Sequence, residues 1–132
     1  MITAIDSSVL LDVLVEGSPH AQQSYEALAD ARERGRLIVC PVVWSEVRAL
    51  IKRSNAMDAL TGAGIEFDPF DRETSELAGK MWRAYRRGGG RRVRLIADFL
   101  IAAHAQVRAD ALLSRDRGFA RRYFGKLRLV AP

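Results

Sequence analysis

The sequence has one cysteine, no long hydrophobic run and no linker, and each shortage excludes a class of protein. An internal disulfide is impossible, and the place of Cys40 after Leu37–Val39 predicts a small core residue rather than a nucleophile. The longest apolar stretches, such as Phe99–Ala103, are far shorter than the roughly 20 residues of a membrane span, and Met1 leads directly into a predicted strand rather than a signal region. We therefore expect a cytoplasmic protein that does not cross a membrane.

The composition is that of an ordinary globular protein. The 132 residues are 48% hydrophobic and 28% charged, which supplies enough apolar side chains for a core without the charge excess of a disordered chain. Since no linker divides the sequence, we predict a single domain over residues 1–132.

Acidic residues are scarce in the second part of the chain. Residues 1–79 hold 7 Lys or Arg and 13 Asp or Glu, a net charge of −6, whereas residues 80–132 hold 14 and 3, a net charge of +11. Between Lys80 and Arg94 there is no acid, and four arginines flank three glycines: Arg86, Arg87, Arg91 and Arg92. A solvated basic turn would have the same composition, but arginines on a loop also suit contacts with the phosphates of a polyanion, without specifying sequence.

Apolar patterning predicts strands that alternate with helices. The predicted strands are Ile2–Ile5, Leu37–Cys40, Ile65–Phe67, Ala111–Leu113 and Leu127–Val130. The predicted helices follow Ser7-Ser8 and then cover about Pro19–Arg34, Pro41–Ile51, Ala56–Gly62, Arg72–Arg86, Ala97–Val107 and Phe119–Tyr123. Such alternation predicts a three-layer α/β/α fold, with a mostly parallel sheet of four to five strands and a ligand site at their carboxyl ends.

Helical spacing also assigns the inward faces. In the helix Pro19–Arg34 we expect Tyr25, Leu28 and Ala29 to face the core. The apolar stripe of the next helix should consist of Val42, Val43, Val47, Leu50 and Ile51. The longest helix has an aromatic and methionine stripe that is typical of a core rather than of a cofactor site: Leu77, Met81, Trp82 and Tyr85.

Four carboxylates stand at the edges of apolar runs, where a charge is costly unless a cation or several donors accompany it. Asp6 and Asp116 follow predicted strands, so both should lie at the ligand edge of the sheet. Glu46 falls four residues after Val42 and four before Leu50, inside the apolar stripe. Asp98 opens an apolar helix. Together the four predict a shared metal site.

Each acid also has an ordinary explanation. Asp6 and Asp98 could be helix caps, Asp116 could be a turn residue, and Glu46 could pair with Arg48 on a solvated face. Asp12, Glu16 and Asp110 lack comparable positioning and are not assigned to the site, although Asp12 could support it from a neighbouring position and Asp110 suits a turn. His104 is expected to be a core histidine or a neighbour of the site, not a metal ligand.

Four segments resemble, in order and across nearly the whole chain, the PIN-domain ribonucleases and among them the VapC-type toxins. They are Ile5–Leu11 (IDSSVLL), Trp44–Val47 (WSEV), Ile96–Ala103 (IADFLIAA) and Leu112–Phe119 (LLSRDRGF). The family often has Thr where this chain has Ser7, and commonly Pro where it has Ala97, but neither departure removes an acid.

The resemblance implies a PIN-like fold and a metal-dependent endoribonuclease that hydrolyses RNA as the toxin of a toxin–antitoxin pair. It implies that Asp6, Glu46, Asp98 and Asp116 bind Mg²⁺ or Mn²⁺ and that Ser7 and Ser114 support that site. It further implies an antitoxin partner and a homodimer, and it makes RNA the polyanion that the four loop arginines would contact. The chemistry agrees independently, because hard divalent cations take oxygen ligands and activate water for phosphodiester hydrolysis.

Other classes remain for comparison. A receiver domain or a haloacid-dehalogenase-like phosphatase also has an acid after its first strand, but Asp6 is not followed two residues later by a second Asp. A nucleotide-binding protein is disfavoured because Gly88–Gly90 lacks the P-loop spacing and its Lys-Ser/Thr ending. The main alternative is a catalytically silent PIN-like module that binds nucleic acid.

Overall fold

The computed structural model describes residues 1–89, 96–116 and 118–132, and the sheet in this part of the chain has five strands, all parallel. The strands are β1 (Ile2–Ile5), β2 (Arg36–Val39), β3 (Ile65–Phe67), β4 (Ala111–Leu113) and β5 (Leu129–Val130). Their order is β3-β2-β1-β4-β5, so β1 is central and pairs with β2 and β4. The predicted parallel sheet is confirmed.

Helices connect the strands throughout. They are α1 (Ser7–Leu14), α2 (Ala21–Arg34), α3 (Pro41–Leu50), α4 (Ala56–Gly62), α5 (Arg72–Arg87), α6 (Ile96–Arg108) and α7 (Gly118–Tyr123). Helix α6 packs against β1, β4 and α5, whereas α2 packs against β2 and α1. The three-layer α/β/α fold is confirmed, and the predicted ends of these elements are correct to within two residues. No helix in the described ranges is long and apolar enough to span a bilayer.

Local sequence explains where several elements begin and end. Asp6 caps α1, because its side chain accepts a hydrogen bond from the Ser7 backbone N–H. Pro41 occupies the first turn of α3, where its missing N–H leaves no bond unmade. Gly35 ends α2 with φ 154°, and a Cβ at this position would collide with the carbonyl oxygen of Met1.

The core lies between the sheet and its helices. The stripe of α5 packs against it as predicted: Leu77, Met81, Trp82 and Tyr85. Cys40 is fully buried within it, and burial raises the pKa of its thiol to about 11. The expectation of a core cysteine is therefore confirmed.

Three predicted core positions are wrong. Tyr25 is 65% exposed and Ala29 is exposed, because α2 buries Ser24 instead, whose hydroxyl donates to a buried carboxylate. Leu50 is also 65% exposed, since α3 buries the row of Val43 and Val47 rather than the neighbouring row that ends at Leu50.

Candidate active site

Asp6 and Asp116 lie at the carboxyl end of two adjacent parallel strands. Asp6 directly follows β1, and its backbone N–H donates to the carbonyl of Leu113 (3.0 Å), so the pairing with β4 continues up to the acid. Asp116 follows β4 by three residues. Both acids line a small cavity of about 30 Å³, whose other lining residues are Asp98, Ile101, Ala102, Leu112 and Ser114. The expected shared edge is therefore present.

Serine hydroxyls surround the carboxylate of Asp6. Its Oδ2 accepts from Ser114 Oγ (2.6 Å) and Ser8 Oγ (3.0 Å), and its Oδ1 accepts from the Ser7 backbone N–H (2.8 Å). The Asp116 backbone N–H donates in turn to Ser114 Oγ (3.0 Å). Because hydrogen bonds to an ionised group are short and strong, these contacts hold Asp6 in one orientation towards the cavity.

Glu46 lies on α3 beside this cavity and is half-buried. Burial raises the pKa of its carboxyl; a hydrogen bond from Ser7 lowers it, and the negative charges of Asp6 and Asp98 raise it further, so that it ends above its ordinary value. Its Oε1 atom is buried and has no hydrogen-bond partner among the described residues. A buried carboxylate oxygen without a donor, near two like charges, is an atom that could bind a cation.

The prediction that Glu46 lies inside the apolar stripe of α3 is only half correct. Its row on α3 ends at the exposed Leu50, so the row lies at the margin of the core rather than in it. Arg48, the pairing partner considered above, donates instead to the carbonyls of Ile51 (3.2 Å) and Arg53 (3.4 Å). Glu46 therefore faces the other acids at the edge of the sheet.

Asp98 is half-buried in the first turn of α6, and the face it shares with Ile101 and Ala102 borders the cavity, as expected. Even so, within residues 1–89, 96–116 and 118–132 no three Asp, Glu, His or Cys side chains are close enough to form a ready-made metal cluster. Glu46 thus interacts electrostatically with Asp6 and Asp98 without forming such a cluster, an arrangement that could hold an ion partly through water.

Two of the four predicted RNA-contacting arginines are described. Arg86 and Arg87 are exposed in the last turn of α5, whereas Arg91 and Arg92 lie outside the described residues. A ring contact between Tyr85 and Tyr123 (5.6 Å between centroids) packs this end of α5 against α7.

Helix α7 carries two further arginines that sequence reasoning did not single out. Arg121 and Arg122 are exposed on it, and α7 begins two residues after Asp116. The Arg122 guanidinium lies over the Tyr123 ring (5.5 Å to its centroid). These arginines extend the basic surface next to the candidate site.

Sequence reasoning did not assign Asp12 to the site, and this residue is only 4% exposed. Arg115 binds it through two parallel bonds, Nε–Oδ2 at 2.8 Å and Nη2–Oδ1 at 3.0 Å, and Ser24 donates to Oδ2 (2.6 Å). Burial alone raises the pKa of Asp12, but the hydrogen bonds of Ser24 and Arg115 and the charge of Arg115 outweigh it and lower the pKa. The sequence offered one signal for a role of Asp12 at the site: Ser8 and Asp12 are four residues apart, so both lie on the same face of α1.

His104 is a core histidine, as expected. It is 1% exposed, and its Nε2 lies 2.8 Å from Asp68 Oδ2. Arg108 also binds Asp68, through Nε and Nη2 at 3.1 Å each. Burial lowers the pKa of His104 despite the opposing effect of Asp68, so the ring is held neutral between α6 and the β3–α5 connection.

Comparison with known families and structures agrees with this arrangement. The family model for the PIN domain matches residues 3–125, which include all four acids. The match to the family model thus covers nearly the whole chain. No curated protein matches the chain.

Solved structures share the fold at low identity. VapBC2 from Rickettsia felis, bound to a DNA fragment from its promoter, has a TM-score of 0.77 and 18% identity, over 99% of this chain and 98% of that one. VapBC-1 from nontypeable Haemophilus influenzae has a TM-score of 0.74 and 15% identity, over 99% and 98%. The Mycobacterium tuberculosis toxin VapC20, which cleaves the sarcin-ricin loop, has a TM-score of 0.68 and 15% identity, over 96% and 98%. These likenesses establish the PIN-like fold.

Proposed function

The chain belongs to the PIN domain family, and from that premise we propose that it is a metal-dependent endoribonuclease acting as the toxin of a toxin–antitoxin pair. One observation carries the proposal: Asp6, Asp98 and Asp116 line one cavity at the edge of the sheet, and the charges of Asp6 and Asp98 also act on Glu46. Such a gathering of like charges is unfavourable unless a cation compensates it.

The donor set fits Mg²⁺ or Mn²⁺. It consists of carboxylate and hydroxyl oxygens, the ligands that hard divalent cations prefer, and Glu46 Oε1 is a buried oxygen that lacks a donor. Mg²⁺ commonly keeps several waters, which agrees with acids that are near one another but not clustered tightly. Asp6, Glu46, Asp98 and Asp116 would hold the ion directly or through water.

The chain's own residues would prepare the site for hydrolysis of a phosphodiester bond. A bound divalent ion supplies an activated water and stabilises charge on the phosphate and the leaving oxygen. Ser8 and Ser114 keep Asp6 in one orientation, and Ser7 contacts both acids, since its backbone N–H donates to Asp6 and its hydroxyl to Glu46. Preorganisation of this kind orients the reacting groups before the reaction, so that no free energy is needed to reorganise them during it.

The basic surface supports RNA as the substrate. Arg86, Arg87, Arg121 and Arg122 are exposed. They lie on α5, which packs against the helix that carries Asp98, and on α7, which begins two residues after Asp116. Guanidinium groups bind phosphates without reading bases, so these residues would hold the backbone while the acids reach one phosphate. An RNA substrate also implies that the protein acts in the cytoplasm.

A protein partner is the second part of the proposal. The Rickettsia and Haemophilus relatives were solved as VapBC complexes. This chain has an apolar groove of about 360 Å³ between α1, α2 and α4, bordered by Leu14, Leu28, Leu60 and the exposed Tyr25. A groove of this kind suits the apolar face of an antitoxin helix. A homodimer is proposed from the family resemblance alone.

The alternative is a catalytically silent PIN-like module that binds nucleic acid. It needs the arginines but not the acids, which repel a polyanion unless a cation intervenes. The Glu46 oxygen without a donor therefore favours the enzyme.

A cleavage assay separates the two. Wild type, Asp6→Asn and the matched control Asp58→Asn, whose acid is exposed on α4, are incubated with a pool of structured RNAs in Mg²⁺, Mn²⁺ or EDTA. We expect cleavage by wild type and control only, and only with metal. Equal cleavage by wild type and Asp6→Asn would remove the mechanism, and RNA binding without cleavage by any of the three would support the silent module.

A further inference from the structure

We propose that Arg115 and Asp12 are positioning residues for the candidate site. Their ion pair would hold the loop that carries Ser114 and Asp116 against α1, the helix that begins at Asp6. The inference rests on the proposed function, because it concerns the same site.

The pair is built to resist movement. Both carboxylate oxygens of Asp12 are bound by Arg115, through Nε at 2.8 Å and Nη2 at 3.0 Å, and this forked geometry fixes direction as well as distance. Two serines satisfy the remaining capacity of the carboxylate: Ser24 donates to Oδ2 (2.6 Å) and Ser18 to Oδ1 (3.3 Å). The side chain of Asp12 is 4% exposed, whereas that of Arg115 is 39% exposed.

A second tether joins the same two segments. The backbone N–H of Arg115 donates to Ser8 Oγ (3.4 Å), and Ser8 Oγ donates to Asp6 Oδ2 (3.0 Å). Ser8 and Asp12 are four residues apart on α1 and so lie on one face of it. The backbone and the side chain of Arg115 are therefore both fixed to the helix that Asp6 caps.

The position of this loop sets the geometry of the acidic cavity. Arg115 lies between Ser114, which donates to Asp6 Oδ2 (2.6 Å), and Asp116, which lines the cavity. If the fork were lost, the loop could shift relative to Asp6 while the sheet remained intact. Displacements of about 1 Å in a site can reduce the rate by roughly 100-fold, so a tether of this kind has a catalytic consequence.

Charge supports positioning over direct phosphate binding. Two atoms of the Arg115 guanidinium are already engaged by a carboxylate that is nearly inaccessible to solvent. Among the described residues, the exposed arginines of α5 and α7 form no ion pair with a buried acid, so they are better placed to follow a polyanion.

The test uses two variants in which the buried side chain at position 12 still has a hydrogen-bond partner at position 115. Arg115→Lys retains the charge but not the fork, and the double variant Asp12→Asn with Arg115→Gln replaces the ions by a neutral amide pair. Arg108→Lys is the matched control, because Arg108 binds Asp68 through the same two atoms and is 44% exposed. For each protein we would measure kcat and KM for RNA, the melting temperature, and amide hydrogen exchange over residues 114–116 without RNA.

We expect both Arg115 variants to lose kcat by roughly 10- to 100-fold, the usual effect of removing a residue that orients a ligand, with an unchanged KM. Exchange at residues 114–116 should accelerate in both, and neither change should occur in Arg108→Lys. Unchanged exchange, or a kcat loss matched by the control at an equal fall in melting temperature, would overturn the proposal.

A raised KM with normal kcat and slow exchange would show instead that Arg115 binds phosphate directly, and this too would overturn it. If wild type cleaves no RNA, the proposed function fails, but the exchange measurement still decides whether the pair holds the loop.

Discussion

Ser114 donates a hydrogen bond to Asp6, with 2.6 Å between Oγ and Oδ2, although 108 positions separate the two residues in the chain. The bond joins the segment after β4 to the residue that ends β1 and caps α1. Ser114 is 1% exposed, so water cannot easily replace its hydroxyl. One buried hydroxyl thus links two of the four acid-bearing segments.

Replacing Ser114 by Ala should therefore destabilise the protein and disturb the site. Hydrogen bonds to charged groups contribute about 1.5–3 kcal/mol, and because Ser8 still donates to Asp6 we expect a loss near the lower limit, about 1.5 kcal/mol. Urea denaturation would measure this change in the free energy of unfolding, and the RNA assay should show slower cleavage. The control is Ser54→Ala, an exposed serine between α3 and α4; equal stability of the two variants would contradict the prediction.

Glu46→Gln should stabilise the protein in EDTA while abolishing cleavage. Burial raises the pKa of Glu46, so the folded state favours the neutral carboxyl. Its stabilising contribution is therefore complete below the unfolded pKa and is lost as the pH rises through the folded pKa. Gln is neutral throughout, so its advantage in melting temperature should be small in acid and grow towards neutral pH.

The measurement is a series of melting temperatures in EDTA from acidic to neutral pH. A difference between wild type and Glu46→Gln that does not change with pH would mean that the folded protein does not perturb this carboxyl. Glu73→Gln, an exposed glutamate in the first turn of α5, serves as the control.

Mg²⁺ or Mn²⁺ should raise the melting temperature of wild type, because a cation relieves repulsion between the acids and binds only the folded state. The gain is about 2.7 kcal/mol when the ion is at 100 times its dissociation constant. Asp98→Asn should blunt this rise and Asp58→Asn should not, as differential scanning fluorimetry would show. Identical rises in all three proteins would indicate that the ion binds elsewhere.

Replacing Arg86 and Arg87 by Ala should weaken RNA binding and flatten its salt dependence. Each lost contact with a single-stranded phosphate lowers the slope of log K against log salt by about 0.7, so two should lower it by about 1.4. The matched control replaces Arg32 and Arg34, which are likewise exposed in the last turn of a helix, α2. If both pairs change the slope equally, the effect is one of net charge and not of this surface.

The fold was largely predictable because its elements have clear periodicities. Five short apolar segments and the helices between them could be placed to within two residues, and Ile65–Phe67 and Ala56–Gly62 were predicted without error. The failures at Tyr25 and Leu50 were failures of helical phase: one position of rotation exchanges a buried face for an exposed one.

The candidate site was predictable in part for the same reason. A residue that directly follows a strand, as Asp6 does, has its place at the sheet edge dictated by local sequence. Asp12 was considered as a supporting group, but its pairing with Arg115 was not predicted, because a pair separated by 103 positions leaves no periodic signal.

By itself, the sequence determined the parallel α/β architecture, the basic second part and the four acids, since local patterning and composition are properties of the chain. Only the tertiary structure decided that Glu46 would face Asp6 and Asp98 with a buried oxygen, and that Ser114 and Arg115 would reach back to β1 and α1. Contacts of this kind depend on strand order and helix rotation, which arise from packing of the whole core rather than from any one segment.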